Sequence, residues 1–251
     1  LHWNVAFGAS GVAMTISVLT FMYTKRKLGT IGLSPLLHKT PTQQKSFEWS
    51  TYGLSLAAVP LIILMVCNTV YTDYFMYAIG PFSLIYFGYE MSKNTLAENK
   101  KLMAAFLFIL FSVVFWAIFE QAGGSLALFA GDNLNNNLLG ATIDPNAVNN
   151  SINSLFVILL ATPIGLMFIA MSNKKLEPNS TVKFGLAFIF LGLAFYSFYA
   201  IRFTADAAGK GSLNMLALGY LVVSVGELFL SPIGLSLMTK LSPNRMQGFM
   251  M

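Results

Sequence analysis

The chain of 251 residues alternates long apolar runs with short polar connections, and the runs are too long to be the single apolar faces of a soluble fold. A membrane crossing takes about 20 mostly apolar residues. Seven runs are read as crossings, at 3–24, 51–70, 75–91, 102–130, 151–171, 184–203 and 213–239, the third being the shortest. The connections between them carry turn and cap chemistry. Tyr71-Thr72-Asp73-Tyr74, with Tyr77 just beyond, reads as the tip of a hairpin between the second and third runs, because amphipathic rings suit the headgroup level. Thr95 and Glu98 have capping-box spacing and predict a helix start near Leu96. The stretch from Asp132 to Asn150 is rich in Asn and Gly and predicts a solvated loop. Pro178-Asn179-Ser180-Thr181 predicts the turn that begins the sixth run.

Composition fixes the class. Hydrophobic residues make up 56% of the chain and charged residues 10%, with a mean hydropathy of +0.67, against about 25% charged in an average soluble domain. The expectation is an all-α, polytopic integral membrane protein. A net charge of +5 and a pI near 9.3 raise nucleic acid as a partner, but the basic residues lie at the ends of apolar runs and not on a face, so no nucleic-acid partner is expected. Their placement orients the chain instead. Lys25, Arg26, Lys27, Lys39 and Lys45 follow the first run, Lys93, Lys100 and Lys101 the third, Lys174, Lys175 and Lys183 the fifth, and Lys240 and Arg245 the seventh. That places 13 of the 15 basic residues on one side, which is cytoplasmic by the positive-inside rule. The chain is then expected to start outside, cross seven times and enter an eighth apolar stretch at Gln247-Gly248-Phe249-Met250-Met251. It begins at Leu1, already inside an apolar run, and reads as part of a larger membrane protein. The first run is a true helix and not a signal peptide, being too long and lacking a charged region ahead of it. The single Cys67 excludes an intrachain disulfide, and His2 and His38 are read as a chain-end and a loop residue without chemistry.

Two carboxylates are the candidate chemistry. Glu120 is the only charged residue from Leu102 to Gly131, and Glu227 the only one from Gly211 to Thr239. A carboxylate near the bilayer midplane costs about 2.5–3.5 kcal/mol on insertion scales, so it is kept where it faces protein or water and marks a functional site by default. The competing reading is a structural acid bonded to a neighbouring helix. In the seventh run Ser224, Glu227, Ser231 and Gly234 recur at three or four residues and form one small, polar stripe, which either packs on a neighbour or lines a cavity. Trp116, Glu120 and Gly124 align in the same way in the fourth run. Pro163, Gly165 and Pro232 are candidate hinge points.

Two stretches of sequence resemble a known family. Phe115-Trp116-Ala117-Ile118-Phe119-Glu120-Gln121, followed by Ser125, is similar to the seventh-helix motif of the proton-dependent oligopeptide transporter family. The run from Gly226-Glu227-Leu228-Phe229-Leu230-Ser231-Pro232 through Ser236, continuing by Lys240-Leu241-Ser242-Pro243 to Gln247-Gly248, resembles the family's tenth helix and the start of its eleventh. The resemblance covers essentially the whole chain and implies part of a major facilitator fold: residues 1–24 as the last helix of the N-terminal bundle, 25–50 as a cytoplasmic linker, 51–93 as an extra transmembrane hairpin, and 94–251 as the C-terminal bundle, cut at the start of a further helix. It implies import of di- and tripeptides with protons across the cell inner (plasma) membrane, with no cofactor or metal and no enzymatic activity. Its partners would be small peptides, protons, the lipid bilayer and the missing N-terminal helices. By motif position, Glu227 would pair with the peptide's ammonium, Asn153 would contact the same amine, Trp116 and Ser231 would line the pocket, and Glu120 would exchange salt-bridge partners with the other bundle. Ser154 stands where the family usually has Pro, and Ala122 and Gly124 where it often has Gln and Ser.

Other classes are weighed on the residues. A seven-helix receptor leaves the eighth apolar start and the two acids unexplained. A membrane enzyme needs a catalytic set, and the apolar runs hold no His, no paired Asp motif and no Gly-x-Ser-x-Gly. A major facilitator carrier for a non-peptide solute, such as nitrate or a small metabolite, is the alternative that shares this scaffold.

Overall fold

In the computed structural model the described residues are 3–29, 40–243 and 246–250. His2, His38, Lys39 and Arg245 lie outside them. Among the described residues nine α-helices run in order: α1 (Trp3–Thr24), α2 (Pro41–Cys67), α3 (Thr69–Ser92), α4 (Leu96–Phe119), α5 (Ser125–Asn133), α6 (Pro145–Asn173), α7 (Ser180–Ala200), α8 (Leu213–Leu241) and the short α9 (Gln247–Met250). A two-stranded hairpin, β1 (Asn137–Leu138) against β2 (Ala141–Thr142), lies between α5 and α6. By packing, the chain forms two units, Leu1–Ile85 and Tyr86–Met251.

In the first unit α1 and α2 bury none of their described side chains, and α1 and the later turns of α2 are mostly apolar all round, as suits a helix surrounded by lipid or by other membrane helices. Helix α2 starts at Pro41, with Pro at the N1 position that suits it, so Lys45 and Glu48 sit on its first turns. The hairpin tip is also placed differently from the expectation. The chain breaks at Asn68, which is extended (φ −138°, ψ 102°), and its side-chain oxygen accepts from the Val70 amide. Tyr71-Thr72-Asp73-Tyr74 form the first turns of α3. Asn caps a following helix better than an aromatic tetrad makes a turn, and that local bond decides the break.

Among the described residues six helices are long and apolar enough to cross a membrane: Asn4–Lys27, Pro41–Cys67, Leu96–Asn133, Pro145–Asn173, Ser180–Thr204 and Leu213–Leu241. Helix α3, the expected third span, is not among them. Its 24 residues reach about 36 Å at 1.5 Å per residue, which suffices in length, but Asp73, Glu90 and five tyrosines lower its hydropathy.

The second unit holds the core. Thr95 and Glu98 form the capping box at the start of α4, each bonding the other's backbone amide. Helix α8 packs most extensively on α7 and next on α6. The approach to α7 is close because Gly219 and Gly226, two turns apart, face it. A Cβ on Gly226 would lie 3.0 Å from the Ala187 carbonyl oxygen, and one on Gly219 would strike the Phe198 ring. Around that contact lie buried Phe115, Leu191, Ala194, Leu216, Val223 and Leu230. A smaller cluster joins Phe87 to Leu102, Ala105, Met238, Met246 and Met250. The stretch expected as a loop is partly helix: Asp144 accepts from the amides of Asn146 and Ala147 as the cap of α6, which therefore takes in Asn149 and Asn150.

Candidate functional site

The site begins with a break in the fourth apolar run. Helix α4 ends at Phe119, residues Glu120–Gly123 tighten into a 3-10 turn, and α5 starts anew at Ser125. Gly124 makes the junction at φ −111°, ψ −107°, and its amide donates to the Gln121 carbonyl at 3.1 Å. Gln121 steadies the turn, donating to the Ala117 carbonyl at 3.3 Å and accepting from the Ser125 hydroxyl at 2.9 Å. Glu120 is thereby carried at the end of a helix, exposed.

Glu120 lines an open cavity of about 850 Å³ between α4 and α8, together with Ser112, Trp116, Leu230, Ser231, Gly234 and, from α9, Phe249 and Met250. Trp116 is half-buried and held edge-on by Phe115 and Phe119, with ring centres 5.7 and 5.0 Å away. Three of the five candidate residues, Trp116, Glu120 and Ser231, thus share one cavity. Most of the lining is apolar, so the carboxylate, the serine hydroxyl and Ser112 are its polar features.

Glu227 lies one turn before Ser231 on α8 and is half-buried. The Asn153 amide nitrogen of α6 donates to its Oε2 at 3.1 Å. The other end of that amide meets Ser224, whose hydroxyl is 2.7 Å from Asn153 Oδ1 and 2.7 Å from the Tyr220 carbonyl. The hydroxyl has one proton for two acceptors. With Glu227 ionised, Asn153 must turn its NH2 to the carboxylate, which leaves Oδ1 needing the serine proton. One turn back on both helices, Tyr220 donates to Asn149 Oδ1 at 2.6 Å, and Asn149 donates to the Ala122 carbonyl at 2.8 Å. The stripe read from the sequence therefore divides: Ser224 and Glu227 pack on α6, while Ser231 and Gly234 line the cavity.

Asn149 and Tyr220 belong to this network and are absent from the candidate residues. Asn149 fell in a stretch expected to be loop. The signals that place it are the Asp144-Pro145 helix start and its spacing of four from Asn153. Among the described residues the ion pairs are Glu90–Lys93 and Glu177–Lys183, at helix ends, and neither involves Glu120 or Glu227. No group of three His, Cys, Asp or Glu side chains among the described residues converges to hold a metal.

A bundle of apolar helices long enough to cross a membrane, with one half-buried carboxylate on α8 and another on the wall of an open cavity, defines a multi-pass membrane protein. The chain belongs to the POT family, whose family model matches residues 1–251. It is 31% identical over 265 residues to the peptide transporter YePEPT of Yersinia enterocolitica, covering 99% of this chain and 52% of that protein. It is 28% identical over 249 residues to dipeptide and tripeptide permease A of Serratia proteamaculans, covering 99% of this chain and 48% of that one. Among solved structures, a peptide transporter in complex with alafosfalin superposes with a TM-score of 0.67 at 28% identity, over 99% of this chain and 50% of that one. The same transporter type in complex with sulfate gives 0.65 at 27% identity, over 99% and 51%. The chain spans about half the length of these relatives. The fold is the all-α membrane fold of the POT structures, part of a major facilitator fold, and in bacteria its place is the inner membrane.

Proposed function

We propose that the complete protein is a proton-coupled symporter that imports di- and tripeptides by alternating access. The observation that carries this reading is the paired arrangement of acids: Glu227 oriented by Asn153 on one helix turn, and Glu120 open to the cavity that Ser231, one turn on, also lines. A peptide's ammonium is a cation with three donors, and Glu227 with the Asn153 amide offers it a charge and a polar frame. Trp116 and the apolar lining suit side chains of varied size. The names of the matched relatives, a peptide transporter and a dipeptide and tripeptide permease, support the substrate class.

Glu120 takes the coupling role. A desolvated carboxylate favours its protonated form and a nearby cation favours the ionised one, so an acid that gains and loses a basic partner takes up and releases a proton as the bundles rock. The basic partner comes from the N-terminal helices of the complete protein. Each proton crossing 100 mV supplies about 2.3 kcal/mol, enough for roughly 50-fold accumulation of a neutral solute.

In this reading residues 1–24 close the N-terminal bundle, 25–50 connect on the cytoplasmic side, 51–93 are an added hairpin and 94–251 belong to the C-terminal bundle. Helix α3 then crosses the membrane despite its polarity, since only a crossing there keeps Lys93, Lys100 and Lys101 on the side of Lys25–Lys27. The test is uptake of labelled dialanine by the complete protein in liposomes with and without an inward proton gradient. Gradient-dependent uptake that Glu120→Gln abolishes is expected; gradient-driven uptake unchanged by the substitution overturns the coupling role. Competition by a non-peptide anion, and not by dipeptides, would instead favour a carrier for another solute.

A further inference from the structure

The break beside Glu120 exposes a backbone problem that the two helices do not solve for themselves. Ala122 lies in the 3-10 turn between α4 and α5, and the carbonyls at a helix end lack the donor four residues on. In a membrane interior each unsatisfied carbonyl costs several kcal/mol, so a break is tolerated only where something else donates. That donor is the Asn149 side chain, at 2.8 Å from the Ala122 oxygen. Asn149 is 3% exposed and has no freedom to choose another partner, because the Tyr220 hydroxyl, itself on a residue 2% exposed, fills its Oδ1 at 2.6 Å. The two contacts fix which way the amide points.

The same two helices repeat the arrangement one turn later. Asn153 follows Asn149 by four residues on α6, Ser224 follows Tyr220 by four on α8, and this second rung ends on Glu227. The Ser224 hydroxyl gives its proton to Asn153 Oδ1, and the rungs are joined through the turn of α8 that carries both Tyr220 and Ser224. A path of two polar rungs, joined by one turn of α8, therefore runs from the Ala122 carbonyl, two residues after Glu120, to the carboxylate of Glu227. None of its links is charged except the last.

We propose that Asn149 and Tyr220 are positioning residues that tie the backbone break carrying Glu120 to the helix carrying Glu227, so that the two carboxylates move as one unit. The proposal rests on the roles given above to the two acids. A buried network of this kind holds geometry when every member is satisfied and releases it when one is removed. Loss of the Tyr220 hydroxyl leaves Asn149 Oδ1 orphaned, so the amide is held from one side only and its hold on the Ala122 carbonyl loosens.

Other groups that could act on Glu227 lie elsewhere. Glu120 in the 3-10 turn after α4 faces the cavity, Lys183 on α7 is engaged by Glu177, and Lys240 stands more than three turns further along α8. The tie between the acids is therefore carried by neutral side chains and backbone.

The experiment is hydrogen–deuterium exchange on the complete protein, wild type against Tyr220→Phe, with Tyr196→Phe removing an exposed hydroxyl as control and dialanine as the ligand. The amides of Gly124, Ala127 and Leu128, which bond the carbonyls of Gln121 and Gly124, report the break. In Tyr220→Phe these exchange about tenfold faster than in wild type while α7 is unchanged. Dialanine slows them in wild type but not in Tyr220→Phe, although it still binds. Asn149→Ala, which frees Ala122 directly, reproduces the effect if Tyr220→Phe fails to fold. Exchange at 124–128 equal to wild type, or raised alike throughout α7, overturns the proposal. Failure of the wild type to bind dialanine would overturn the peptide reading alone, since the ligand-free comparison still decides the tie.

Discussion

Asn153 and Glu227 meet across the contact of α6 with α8, the amide nitrogen donating to Oε2 at 3.1 Å while the amide oxygen is held by Ser224. The amide is therefore oriented before any ligand arrives, and the carboxylate with it. A hydrogen bond to a charged group is worth about 1.5–3 kcal/mol. Asn153→Ala in the complete protein is expected to weaken dialanine binding by about tenfold or more, while Asn153→Gln retains part of it. Titration of purified protein with labelled dialanine measures this, and unchanged affinity in the alanine variant would separate Asn153 from the site.

The close approach of α7 and α8 at Gly226 predicts a cost for any side chain there. A Cβ would stand 3.0 Å from the Ala187 oxygen and 3.2 Å from Phe190 Cβ, both fixed parts of the neighbouring helix. Gly226→Ala is expected to lower stability by about 1–3 kcal/mol, the usual cost of overpacking. Gly234→Ala meets nothing within 4 Å and keeps the unfolding temperature, but it adds a methyl to the cavity wall. Thermal unfolding of the two variants in detergent compares them.

The capping box at Thr95 predicts a local effect. The Thr95 hydroxyl accepts from the Glu98 amide, and Glu98 bonds the Thr95 amide in return. Thr95→Ala is expected to cost about 1 kcal/mol and to speed amide exchange in the first turn of α4, with the far end unchanged. Exchange rates along α4 check it.

The pairing of Glu177 with Lys183 gives a pH dependence. Lys183, at 8% exposure, lies 4.1 Å from the centre of the Phe168 ring and holds Glu177 between α6 and α7. The hydrogen bond from Lys183, with a second contact from Ser172, lowers the Glu177 carboxyl below its ordinary range. A lowered folded value means that the unfolded chain binds the proton more readily. The pair's stabilisation is fully present above the ordinary carboxylate value and is lost as pH falls through the folded one. The gap in unfolding temperature between wild type and Glu177→Gln should be open at pH 7 and close in acid. A gap independent of pH would show that the ion pair contributes nothing.

The sequence alone determined the class, the helical architecture and the candidate acids, because a charge in a long apolar run is conspicuous one residue at a time. Local chemistry was equally legible where neighbours in sequence satisfy one another, as at Thr95 with Glu98 and at Asn179, which caps α7. Tertiary structure decided what depends on contacts between distant residues. Asn68 and not the tyrosine-rich tetrad breaks the second and third helices. The small-residue stripe of α8 serves two neighbours, which no periodicity distinguishes. Asn149 is a buried partner and not a loop residue because a carbonyl 27 positions earlier needs a donor, and only the packing of α6 on the break brings the two within 2.8 Å.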